Sequence, residues 1–171
     1  MKPEYNFELK NVKYAAFSSE ETHCFTATLY LNGKRFCTVD NDGRGGPNRY
    51  TPFNNYTDNE LHDMISEINK ELDKIKEPVS WDPNILMGRN LEIVVGELMN
   101  DYLTRLQLKR VLKKIAYFDP KDDGVYTMPA SRNPTKANLE LIKKAKWWNK
   151  DNILLNELPA DKALEYLKKT G

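Results

Sequence analysis

Cysteine, histidine and long apolar runs are all scarce in this 171-residue chain, and each scarcity removes a class of answer. The two cysteines, Cys24 and Cys37, form no CxxC pair, and with only two histidines, His23 and His62, no zinc-ligand spacing exists. No metal and no cofactor is expected. The longest apolar stretches, residues 91–95 and 153–155, fall far short of the ~20 residues that span a bilayer, so no membrane association is expected. A formal net charge of +1 gives no global field toward nucleic acid, so no nucleic-acid partner is expected on electrostatic grounds. The opening Met-Lys-Pro-Glu-Tyr-Asn has no apolar core and no small-residue cleavage site, which predicts a cytoplasmic location.

What is present reads as one globular α+β domain, β-rich over residues 1–56 and helix-rich over 57–171. Tyr5, Phe7 and Leu9 alternate with polar residues, and residues 24–31 resume the alternation up to Asn32-Gly33, with 36–39 answering it. Asn-Gly between two such runs predicts a two-residue hairpin turn. That register sets Leu31 opposite Lys34, Thr28 opposite Cys37 and Cys24 opposite Asn41. The sulfurs then stand ~13 Å apart, beyond the ~7 Å Cα limit for a disulfide, so free thiols are expected. Phe25, Ala27, Leu29, Leu31 and Phe36 should face the core, with Thr26, Thr28, Tyr30, Arg35 and Val39 on the other side, half exposed or against a second subunit.

Residues 40–56 are too rich in Gly, Pro and Asn for helix or central strand and predict a structured loop. Thr57-Asp-Asn-Glu60 is a capping box before apolar residues at helical spacing, Leu61 to Ile75, and Pro78 should end that helix. After a connector containing Trp81 and Asp82-Pro83, a second helix is expected from about Asn90 to Lys113, then a hairpin over 115–128, a third helix capped by Asn133, a strand at 153–155 and a last helix over 159–169. The predicted fold is an antiparallel sheet with an N-terminal β-hairpin packed against two long helices, plus a short C-terminal hairpin and helices.

The segment after the hairpin carries the candidate chemistry. Gly43, Gly45 and Gly46 free the backbone to present amides to a ligand, Arg44 and Arg49 supply guanidinium forks suited to phosphate, and Tyr50 can cover a base. Asn41 and Asp42 begin this loop, and the register brings His23 and Glu21 beside it. The spacing fits neither a Walker A loop nor a dinucleotide fingerprint. The expected function is non-enzymatic capture of a phosphorylated nucleotide, with a homo-oligomer suggested by the half-buried sheet faces. Two alternatives stand beside it. One is direct binding to a host protein through the aromatic stretch 50–56; the other is a small hydrolase or nuclease using His23 and the nearby carboxylates.

Three segments, 7–13, 18–25 and 39–46, carry a likeness. Through Phe-Glu-Leu-Lys-Asn-Val-Lys, Ser-Ser-Glu-Glu-Thr-His-Cys-Phe and Val-Asp-Asn-Asp-Gly-Arg-Gly-Gly, the chain resembles small uncharacterised proteins of tailed bacteriophages and prophages. The likeness covers about the first fifty residues, with a fainter echo over 153–167. It implies a setting in the cytoplasm of an infected bacterium, with action against host enzymes or immune signals, and it assigns no site residue.

Overall fold

The structure, a computed structural model, describes residues 5–53, 56–79, 82–129 and 133–170. The chain divides into two compact units, Met1–Met99 and Asn100–Gly171, and the boundary falls inside a helix.

In the first unit, strands β1 (Phe7–Tyr14), β2 (Phe25–Leu31), β3 (Lys34–Asn41) and β4 (Arg49–Pro52) form an antiparallel sheet in sequential order. The hairpin turn is as the sequence predicts: Leu31 faces Lys34, and Asn32 and Gly33 take φ of 50° and 76°, the left-handed pair that Asn-Gly tolerates. The register then slips. Tyr30 faces Arg35 but Leu29 faces Cys37, so Phe36 is the extra residue of a β-bulge, and beyond it Phe25 rather than Cys24 faces Asn41. Cys37, Val39 and Asn41 thereby turn inward with Phe25, Ala27 and Leu29, correcting the expectation that Val39 lies on the outer face. Both thiols are free, as expected. Within the expected loop, residues 49–52 pair with β3 as a short edge strand, a place where Pro52 costs no ladder bond.

Helix α1 (Asp58–Leu72) starts at the capping box: the Thr57 hydroxyl accepts from the Glu60 amide while the Glu60 carboxylate accepts from the Thr57 amide at 2.7 Å. It buries Leu61, Ile68 and Leu72. The helix ends at Leu72, six residues before Pro78, because the chain turns there into a two-stranded ribbon, β5 (Lys76–Val79) with β6 (Asp82–Gly88), in place of the expected connector. Ile75, expected on the buried stripe, is exposed, and Trp81 lies outside the described residues. Helix α2 (Leu91–Val111) follows, with the Asn90 side chain accepting from the Ile93 amide.

The second unit is a three-stranded sheet, β8 (Gly124–Thr127), β7 (Ala116–Asp119) and β9 (Ile153–Leu154), with β7 central. One face of β7 packs Ala116 and Phe118 with Leu108 of α2 and with Leu164 and Leu167 of α4 (Ala160–Lys169). Tyr117 and Leu154 pack instead with Leu139 and Ile142 of α3 (Lys136–Lys143). Burying each large side chain stabilises this arrangement by about 1.5–3 kcal/mol. The α3 cap is Thr135, whose hydroxyl accepts from the Asn138 amide, rather than the expected Asn133, which contributes its backbone carbonyl. Among the described residues no helix is long and apolar enough to cross a membrane.

Candidate functional site

The glycine-rich segment is tied to the loop that joins β1 to β2. That loop, residues 15–24, is closed at its base by the Ala15 amide donating to the Cys24 carbonyl at 2.9 Å. Inside it Ala16–Ser18 form one 3-10 turn, and Ser19 uses its hydroxyl twice, donating to the Ala15 carbonyl and accepting from the Cys24 amide. The next three amides, of Glu20, Glu21 and Thr22, all point at one atom, the carbonyl oxygen of Gly43, at 3.0, 2.9 and 3.3 Å. Successive amides converging on one oxygen are the arrangement expected around a bound anion. Here the chain supplies that oxygen itself.

Gly43 has to be glycine for this to happen. Its φ is +85°, and a Cβ built on it would stand 2.1 Å from the Ser18 carbonyl oxygen and 2.9 Å from Cys24 Cβ. Gly45, also left-handed, has the Glu21 carboxylate where its Cβ would be, which places Glu21 against the loop as the sequence suggests. Gly46 has open space around it.

The polar groups of the candidate site are engaged with one another. Asn41, only 6% exposed, accepts from the Thr22 hydroxyl at 2.7 Å and from the Gly43 amide at 2.9 Å, and donates to the Gly46 carbonyl and the Asn48 side chain. Both ends of its amide are used. The Arg44 amide donates to the Asp42 carboxylate and the Gly45 amide to the Thr22 hydroxyl. The Asn48 amide donates to Glu92 in the first turn of α2. Arg49 lies along Asp40 at 2.6 Å and 3.6 Å from Asp42, and these carboxylates, Asp40 first, raise its pKa. Tyr50 is half-buried and its hydroxyl reaches Glu92 at 3.5 Å; burial first, then the Glu92 charge, raises its pKa. Arg44 is exposed and makes no ion pair among the described residues. His23 stands edge-on to Tyr14, ring centroids 5.9 Å apart. No group of three His, Cys, Asp or Glu side chains that could hold a metal occurs among the described residues.

The glycines, Asn41, Arg49 and Thr22 thus come together as a rigid seat whose amides are largely used within it. What the seat presents is Phe17, 92% exposed at the crest of the bonded 3-10 turn, with exposed Glu20 and Glu21 following it. Sequence reasoning missed Phe17. The available signal was a lone aromatic in the polar run Ala-Phe-Ser-Ser-Glu-Glu, with no alternation that would bury it.

No protein-family model matches the chain, and neither a curated protein nor a solved structure matches it with significance.

Proposed function

We propose that the chain works by binding a protein partner, with Phe17 as the anchor and the seat formed by residues 41–46 as its support. One observation carries this: a phenyl ring exposed to 92% on a segment whose backbone is fixed by hydrogen bonds to Gly43. Leaving such a ring in water forgoes about 1.5–3 kcal/mol that burial in a partner's pocket would recover. Because the turn is already ordered, binding would lose little further conformational entropy, which is the main advantage of pre-organised contacts. Glu20 and Glu21, exposed on the same loop, favour a partner surface that is basic around the pocket.

The test is a partner retained on the immobilised wild-type chain and then titrated against Phe17→Ala. At a position this exposed the substitution leaves the fold intact, and affinity should fall about thirtyfold, the scale of an interface hot spot. Equal affinities for the two proteins would sink the reading.

Capture of a phosphorylated nucleotide is the second reading, favoured by the exposed Arg44 guanidinium, which has no ion pair among the described residues. It has to work without the amides of Gly43, Arg44 and Gly45, which the loop uses itself. Replacing both Arg44 and Arg49 by Ala should abolish capture while the ligand released from wild type stays chemically unaltered by mass spectrometry; unchanged affinity rejects it.

A further inference from the structure

In the second unit, a cleft of about 360 Å³ opens between the C-terminal half of α2 and the start of α4. We propose that this cleft binds a small amphipathic carboxylate, its aliphatic part lying on Leu106, Leu112 and Ala160 and its anionic end at Lys109.

The cleft follows from helix geometry. Tyr102, Leu106 and Lys109 on α2, with Leu112 just past its end, stand three or four residues apart and so share one face. Leu112 reaches the core of the unit along its inner side, while Tyr102 and Leu106 are only half-buried, so this part of the stripe is left uncovered. The opposite wall begins at Ala160, whose methyl group is too short to fill the space. At about 360 Å³ the opening sits at the lower end of the range of small-molecule sites, about 300–1,000 Å³, which limits the occupant to a short aliphatic body.

Charge sets the sign of the ligand's polar end. Arg105 and Lys109 line the cleft, and Lys109 is exposed with no ion pair among the described residues. Arg105 donates to Asp101 at 2.7 Å within its own helix. Its contact with Asp161 is long, 3.5 Å, and the Asp161 side chain is 87% exposed, so water screens it and an arriving carboxylate can displace it at little cost. Pro159, the residue before α4, offers no capping side chain, so the helix end beside Ala160 adds partial positive charge to the same rim. An apolar floor with an unmatched cation at its edge fits a ligand with an aliphatic tail and one negative head.

Isothermal titration of the full chain with decanoate below its micelle concentration tests this, with decyltrimethylammonium as the same tail carrying the opposite charge. Decanoate should bind at one site, at least about tenfold more tightly than the cation. Lys109→Glu should weaken decanoate about tenfold or more by reversing the charge at the head, and Ala160→Leu should do so by filling the space. Both positions are exposed, so circular dichroism should show an unchanged fold. Failure of decanoate to bind, equal binding of the two amphiphiles, or undiminished binding by both variants would overturn the proposal. Capture of the chain by dioleoylphosphatidylglycerol vesicles with no response to soluble decanoate would likewise overturn it, in favour of a membrane surface.

Discussion

Replacing three glycines in turn by alanine separates the causes that hold the Phe17 seat together. At Gly43 the added methyl meets two penalties. The left-handed backbone at φ +85° costs an alanine about 1–2 kcal/mol, and the overlap with Ser18 oxygen at 2.1 Å forces the two loops apart at about 1–3 kcal/mol more. The neighbouring atom is backbone, which cannot swing away as a side chain would. Gly33 is equally left-handed, φ +76°, with nothing within 4 Å, so only the first penalty applies there. Gly46 has open space and no left-handed φ, so Gly46→Ala should be neutral or stabilise by up to ~1 kcal/mol through the unfolded chain. Urea unfolding read by hydrogen exchange in peptides covering β2 and β3 reports the first unit alone. With a slope of about 2 kcal/mol per molar, the midpoint should fall by about 1–2.5 M for Gly43→Ala and by about 0.5–1 M for Gly33→Ala. A Gly43→Ala midpoint no lower than that of Gly33→Ala would refute the claim that close packing on Ser18 fixes the loops.

Other outcomes follow from the same geometry. Cys37 is wholly buried and its thiol is pushed up to about 12, whereas Cys24 is half-exposed; a chromogenic disulfide at pH 8 should therefore label Cys24 in the native protein and Cys37 only on unfolding. Lys168, and then Arg105, hold the Asp101 carboxyl below its ordinary value. That group stabilises the fold above an unfolded pKa of about 3.9 and ceases to do so as pH falls through its lower folded value, so Asp101→Asn should flatten the acid side of the stability curve while lowering stability at pH 7. Arg89 is largely covered and bridges Glu77 and Glu97, tying the β5–β6 ribbon to α2; Arg89→Met should speed amide exchange over residues 76–88 about fivefold, or ~1 kcal/mol, and unchanged exchange would assign the ribbon's order to other contacts.

The elements legible in the sequence were those fixed by local chemistry. Asn32-Gly33 encodes its turn because few other pairs tolerate two left-handed residues, and Thr57 with Glu60 encodes a helix start because both partners lie within four positions. The bulge at Phe36 was not legible, since alternation cannot reveal that two adjacent apolar residues, Phe36 and Cys37, will share one partner. The β5–β6 ribbon escaped because Pro78 and Pro83 argue against strands, and because Ile85, Leu86 and Met87 are all exposed rather than alternating. At the site, glycine composition announced a backbone needing unusual angles and close approach. It could not announce that the atom approached would be Ser18 of the same chain, or that the critical group would be a carbonyl rather than an amide, because that depends on contacts between residues far apart in sequence.

Since a single oxygen, that of Gly43, receives three amides from the opposite loop, the two segments are matched in length as a key is to its lock. An insertion in either one would shift all three donors off their target, so neither can be lengthened without recutting the other. Anyone transplanting the exposed phenyl ring into a different scaffold would have to move residues 15–24 and 41–48 together.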